Sequence, residues 1–505
     1  MSHPDPSSLP EISHWIDGKS REGRSGRHGP VFDPATGRQR ARVAFADAEE
    51  VDGAVAAART AFAAWRDEPV TSRVQILFRY RSALEAARGE IAEIIASEHG
   101  KTRPDALGEV QRGLETVEFA CGIAQLLKGD HSSQVSGGVD LFSVREPLGV
   151  VGCITPFNFP AMVPLWMFPI AIACGNAVVL KPSEKDPSAA NRLAELFGQA
   201  GLPDGVLNVV HGDRVAVERL VAHPDVAALS FVGSTPVARA LYQAGTAAGK
   251  RVQALGGAKN HMIVLPDADL ELAADAAVSA GYGSAGERCM AISVVVAVGD
   301  AGDRLVPLLR ERIGALRTGP ASDPETEMGP LITGEHRERV LSYIDAGVAE
   351  GAELVSDGRG LAVPGHPDGF FVGPTLFDRV GPGMKIYRDE IFGPVLAVVR
   401  VEHFVDAIRL VNANPWANGT ALFTNDGGAA RRFQREIEVG MVGINVPIPV
   451  PLGFYSFGGW KGSLFGAHSI YGPDGVHFYT RPKVVTTRWP DPVHRGVDLG
   501  FPRTR

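Results

Sequence analysis

Between residues 149 and 234 the chain reads GVVGCITP (149–156), NAVVLKPSE (176–184), GVLNVVHG (205–212) and VAALSFVGS (226–234), with stretches of helical period between these β-branched runs. Continuous apolar runs suit strands buried on both faces, and their regular alternation with helices marks an α/β chain with a parallel, doubly wound sheet. Upstream, residues 47–128 hold three helical stretches, among them VDGAVAAARTAFAAW and VQILFRYRSALEAA. Residues 1 to about 45 are polar and rich in Pro and Gly, as befits an edge. Downstream, a second α/β block begins near 260, with strands at HMIVLP, AISVVVAVG and PVLAVVRV separated by helices such as ELAADAAVSA. MVGINVPIP, the Gly-rich SFGGWKGSLFG and the strand-like PKVVTTRW follow, and then a charged tail; there is no internal repeat.

A chain of 505 residues with 45% hydrophobic and 21% charged content is long enough for two or three domains with a large core. The net charge of −8 is small for this length and the basic residues are scattered, which gives no footprint for nucleic acid or an anionic membrane. The four cysteines, Cys121, Cys153, Cys174 and Cys289, form no CxxC pair, so neither a disulfide scaffold nor a thiolate metal site is expected. No metal is expected at all, and a reducing compartment fits. MSHPDPSSLPEI has the character of neither a secretory signal nor a transit peptide, so a cytoplasmic location is expected. The apolar stretch Phe159 to Gly175 contains three prolines and falls short of the ~20 apolar residues of a membrane span.

GYGSAG (281–286) matches GxGxxG in form but follows a helical Ala-rich segment rather than a strand, which argues against a dinucleotide fingerprint. Its glycines instead let the backbone turn tightly and present Cys289 to a ligand. A cysteine near glycines is more often a small buried hydrophobe. Here Arg288 stands beside it, a cation that favours a reactive thiolate. The other three cysteines sit in apolar runs or a helix and read as packing. Asn158, in ITPFNFP after a buried strand, is either an N-cap or a donor to a developing oxyanion. Lys181 and Glu184 in LKPSE, and Gly233 and Ser234 before a Pro-started helix, are candidates for holding a dinucleotide. An acidic residue after a strand holds ribose hydroxyls and repels a 2′-phosphate, so Glu184 points to NAD rather than NADP.

Taken together, ITPFNFP, LKPSE, FVGST, LGG, GERCM, EIFGPV and SFGGWKG resemble, in order and spacing, the aldehyde dehydrogenase superfamily over essentially the whole chain. The resemblance implies Cys289 as nucleophile and Asn158, with the Cys289 backbone N–H, as oxyanion donors. It implies cofactor contacts at Thr155, Phe157, Lys181, Glu184, Gly233, Ser234, Glu390 and Phe392. Hydrolytic members carry a glutamate before LGG to activate water; here Ala254 stands in that place, and alanine is no base. A thiol acceptor needs less activation, since its pKa is about 8.5 against about 15.7 for water. Coenzyme A is therefore the expected acyl acceptor. The stretches FNFPAMVPLWMFPIAIACGN, GAKNH, ERCMA, INVPIPVPL and HFYTRPKVVTT resemble the acylating methylmalonate-semialdehyde dehydrogenases.

That resemblance implies oxidation and decarboxylation of methylmalonate or malonate semialdehyde to propionyl-CoA or acetyl-CoA, in valine, thymine, β-alanine or inositol breakdown. The substrate carboxylate calls for a planar cationic clamp, for which Arg112 and Arg288 match the pattern. The implied organisation is a cofactor domain over 1–255, with 129–146 in an oligomerisation hairpin, and a catalytic domain over 256–440. A return to the cofactor domain over 441–480 and an oligomerisation strand with tail over 481–505 complete it, in a homotetramer or a dimer. The competing readings are a hydrolytic enzyme in which another carboxylate, such as Glu390, activates water, and a catalytically silent protein on the same scaffold. No GxSxG elbow supports a serine hydrolase.

Overall fold

A computed structural model describes residues 9–489. The sequence expectations for the first eight residues and for the tail beyond Trp489 lie outside the described residues.

The four runs quoted first are strands, buried throughout except at Ala227. They lie in an eight-stranded sheet whose order is Leu464–Phe465, Arg251–Leu255, Val226–Val232, Val150–Ile154, Ala177–Lys181, Leu207–Val209, His14–Ile16, Lys19–Arg21. The five strands between Arg251–Leu255 and Leu207–Val209 in that order pair in parallel, and antiparallel strands close both sides. Helices cover both faces. On one, Ala48–Trp65 begins with a capping box between Asp47 and Glu50. On the other lies Met162–Ala173, buried at all twelve positions. That helix accounts for the apolar stretch after Phe159, and among the described residues no helix is long and apolar enough to cross a membrane.

A second sheet of seven strands runs Glu353–Ser356, Thr375–Asp378, Val395–Val401, Ile292–Val298, Asn260–Val264, Gly419–Phe423, Met441–Ile444. It has its own apolar core, built on Ile263, Val295, Leu396 and Leu422. The chain passes between the sheets after Leu255 and does not leave the second at residue 440. Met441–Ile444 pairs in parallel with Gly419–Phe423, and its alternating burial is that of an edge strand. Only at Leu464–Phe465 does the chain rejoin the first sheet, antiparallel to Arg251–Leu255. A third, antiparallel sheet joins Thr480–Arg488 to Val139–Pro147 and His131–Ser136.

Candidate active site

The helix Leu270–Tyr282 stops at Gly283, and Ser284, Ala285 and Gly286 then adopt left-handed backbone angles, with φ of 52°, 52° and 75°. At Gly286 a Cβ would lie 2.3 Å from the Gly393 carbonyl oxygen, so this turn closes only on glycine. The turn delivers Cys289 to the gap between the two sheets. Asn260 Nδ2 donates to the carbonyls of Cys289 and Ala291, each at 2.9 Å, and Asn418 Nδ2 reaches the Cys289 carbonyl at 3.2 Å. The backbone N–H groups of Cys289 and Met290 favour a charge on the sulfur, but burial outweighs them and pushes the thiol up to about 12.

The expected support from Arg288 is corrected here. Its effect on the thiol is the least of the causes, because its guanidinium turns to Asp105, with Nη2 2.7 Å from Oδ1.

Cys289 lines a cavity of about 190 Å³ together with Phe157, Asn158, Gly233, Ser234, Glu390 and Phe392. A larger cavity of about 700 Å³, beside Arg288 and Asp105, contains neither Cys289 nor Asn158. Chemistry, not size, marks the smaller one as the site. The Asn158 side chain has no protein partner among the described residues and lines that cavity. The Phe157 and Phe392 rings meet edge to face at 5.8 Å, with Phe392 held at φ 62°. Glu390 Oε1 accepts the Ala258 N–H at 2.9 Å, and burial raises its carboxyl above the ordinary range. A Cβ on Gly257 would lie 2.2 Å from Glu390 Oε2, so any larger residue here would displace this carboxylate.

Ser234 precedes the helix Thr235–Ala247, whose start has no side-chain cap, and Gly233 with Ser234 lines the cavity, an arrangement suited to a phosphate. Lys181 and Glu184 pair at 3.0 Å outside the lining of this cavity, at the end of Ala177–Lys181. Burial pushes Glu184 up, but the Lys181 charge and hydrogen bonds hold it below the usual carboxylate range. Thr155 donates its N–H to the Lys181 carbonyl, and its buried hydroxyl has no partner among the described residues. An unpaired hydroxyl, a carboxylate held below its usual range and an uncapped helix start, at the C-terminal ends of three neighbouring parallel strands, fit a dinucleotide.

Arg112 pairs with Glu115 at 2.8 Å and donates to the Val450 carbonyl at 2.9 Å. Tyr471, whose hydroxyl donates to the neighbouring Pro451 carbonyl, has its phenol pushed up by burial and lies within electrostatic reach of both Arg112 and Cys289. Arg112 and Arg288 thus hold different partners and do not form one fork.

Sequence reading missed several groups here. Lys185, His336 and Arg339 also line the cavity, Lys185 lying 4.6 Å from the Phe157 ring centre. Glu287 is completely buried, 3.8 Å from His99 and 3.5 Å from His336, and burial raises its carboxyl to about 8. The position before LGG needs a correction too. Along Arg251–Leu255, Val252 and Ala254 pack into the apolar cluster under Ala48–Trp65 and Thr235–Ala247, whereas Leu255 belongs to the cluster against which Cys289 packs. The side chain on the cysteine side of the strand is Leu255, which is no more a base than alanine. Among the described residues no group of three or more His, Cys, Asp or Glu is placed to hold a metal.

The aldehyde dehydrogenase family model matches residues 21–485. The chain is 55% identical to the malonate-semialdehyde dehydrogenase of Pseudomonas aeruginosa, over 97% of its own length and 99% of that protein. It is 51% identical to malonate-semialdehyde dehydrogenase 2 of Geobacillus kaustophilus, over 95% and 99%. Among solved structures, methylmalonate-semialdehyde dehydrogenase from Oceanimonas doudoroffii superposes with a TM-score of 0.95 at 52% identity, covering 96% of this chain and 99% of that one. A Sinorhizobium meliloti protein ascribed the same activity and solved with NAD gives 0.95 at 50% identity, with the same coverage.

Proposed function

The chain belongs to the aldehyde dehydrogenase family, and on that premise we propose that it oxidises malonate semialdehyde and its methyl-branched analogue with NAD and passes the acyl group to coenzyme A. The observation that carries the reading is the convergence of Cys289, Asn158, Glu390 and the open helix start at Ser234 on one cavity.

The Cys289 thiol releases its proton to solvent and the sulfur adds to the aldehyde carbonyl, making a C–S bond as the C=O π pair moves to oxygen to give an alkoxide. Asn158 Nδ2 and the Cys289 N–H donate to that alkoxide, in a site where fixed dipoles need no reorganisation. NAD, when bound, accepts the hydride that leaves this carbon. The sulfur then carries a thioester whose carbonyl takes up the electron pair released as the neighbouring carboxylate departs as carbon dioxide. Solvent supplies the proton to the new C–H bond. The coenzyme A thiol displaces Cys289, giving acetyl-CoA or propionyl-CoA.

Residues that would hold the dinucleotide are Ser234 and Gly233 at the pyrophosphate, Lys181, Glu184 and Thr155 toward the adenosine ribose, and Glu390, Phe392 and Phe157 around the nicotinamide ribose. Arg112, beside Tyr471 and the Val450 carbonyl, is the favoured partner for the substrate carboxylate, because Arg288 is braced on Asp105. With neither Ala254 nor Leu255 able to activate water, a thiol is the fitting acceptor. The exposed strand Thr480–Arg488, with Val484 67% accessible, supports assembly into a homotetramer through the third sheet. Unpaired cysteines fit a cytoplasmic enzyme.

The test is NADH formation from malonate semialdehyde and from methylmalonate semialdehyde, with and without coenzyme A, and with products identified by mass. Turnover that requires coenzyme A and yields the acyl-CoA is expected. Equal turnover to a free acid without it would establish the hydrolytic alternative.

A further inference from the structure

Two charges far from solvent hold the loop that carries Asn158. Lys101 and Glu109 have fully buried side chains and pair at 2.7 Å. Lys101 Nζ also donates to the Asn158 carbonyl at 2.7 Å and lies 4.4 Å from the Phe159 ring centre. Glu109, on the helix Arg103–Cys121, uses its second oxygen to accept the N–H groups of Ala161 at 2.8 Å and Met162 at 3.1 Å. These open the helix Met162–Ala173, whose N-cap is an alanine that makes no side-chain cap of its own. The connection from Val150–Ile154 to this helix is therefore pinned at residue 158 by the cation and at 161–162 by the anion. The Asn158 amide, by contrast, is held by no protein group among the described residues and lines the cavity with Cys289. Its aim depends on the backbone behind it.

Burying two charges is unfavourable unless the geometry returns the cost, and here every side-chain hydrogen bond beyond the pair itself is to this one loop. We propose that the Lys101–Glu109 pair is a positioning element for the oxyanion donor, fixing the Asn158 main chain so that its amide meets the alkoxide formed at Cys289. The proposal rests on the reading of Asn158 as that donor. A displacement on the order of 1 Å at such a donor costs about 10²-fold in rate. The pair makes no hydrogen bond to a residue assigned to the dinucleotide, and Lys181, Glu184, Gly233, Ser234 and Glu390 lie outside the pinned connection, so the KM for NAD is expected to change far less than the rate.

The experiment is single-turnover NADH formation, with NAD and malonate semialdehyde, in the full-length wild type, Lys101→Met/Glu109→Gln, Asn158→Ala and the triple variant. The paired substitution removes both charges, and the glutamine oxygen still accepts the Ala161 and Met162 N–H groups. Its rate is expected to fall about 30–100-fold with the KM for NAD changed by less than about threefold, while Asn158→Ala falls about 10²–10³-fold. In the triple variant the rate stays within about threefold of Asn158→Ala, because the pair has nothing left to aim. A full further loss in the triple variant, or a folded paired variant within about threefold of wild type, overturns this proposal alone. A wild-type rate in Asn158→Ala overturns the oxyanion reading and the proposal with it. Should the paired variant fail to fold, Glu109→Gln alone enters the same cycle with the same criteria.

Discussion

At Cys289 the surroundings oppose the charge that the reaction needs: burial outweighs two backbone N–H groups, and the adjacent arginine is committed to Asp105. With the thiol pushed up to about 12, the thiolate fraction at neutral pH is small and grows tenfold with each pH unit. Alkylation of Cys289 by iodoacetamide in the free enzyme is accordingly expected to rise about tenfold per unit from pH 7 to 9 with no plateau, whereas an ordinary thiol levels off near about 8.5. Arg288→Gln should change that rate by less than about threefold, and a plateau below pH 8.5 that Arg288→Gln abolishes would show that the arginine does activate the sulfur. Cys289 and Asn158 were legible as candidates because each lies in a short motif with its own chemistry, and both line one cavity. The state of the thiol was not, since adjacency of Arg288 in the chain says nothing about where a long side chain finds its carboxylate.

The strand Arg251–Leu255 shows what an element adds to a list of residues. Successive side chains point to opposite faces, so a shift of one position exchanges the two apolar clusters. Leu255→Glu places a carboxylate on the face toward Cys289, and Ala254→Glu drives one between the sheet and its covering helices. Leu255→Glu is expected to fold and to form NADH without coenzyme A at least about tenfold faster than wild type. Ala254→Glu, with a buried and unpaired charge, should lose upwards of about 3 kcal/mol of stability and express poorly. The reverse pair of outcomes would restore Ala254 as the position facing the substrate. The central strands could be read from the sequence because buried parallel strands are continuously apolar. Edge strands as short as Leu464–Phe465 carry no such signal, and neither does the Lys101–Glu109 contact with residues 158–162, whose partners lie more than fifty positions apart.

Across the whole molecule the site sits where the two α/β layers meet, and its groups share a buried environment whose protonation bears on folding. Glu287 has no exposed surface, and its Oε2 has no hydrogen-bond partner among the described residues. Burial raises its carboxyl from 4.5 to about 8, so the folded chain keeps a proton that the unfolded chain releases. The associated stability is complete below about pH 4.5 and is lost progressively up to about pH 8, a difference on the order of 4–5 kcal/mol. Glu287→Gln cannot ionise, and its thermal midpoint is expected to gain on the wild type by several degrees between pH 5 and 8 and to change in parallel outside that window. A constant difference at every pH would mean that the carboxyl is ionised in the fold. The strand Leu464–Phe465 bears on the chain's history as well as on its architecture. During synthesis the first sheet emerges with the backbone of Arg251–Leu255 open along one side, and roughly two hundred further residues must leave the ribosome before its neighbour exists. At about 5–20 residues per second that interval is on the order of 10–40 s. For that time a nascent chain carries an unpaired strand edge able to join another, which makes the translation rate of the second half a determinant of how much enzyme a cell recovers.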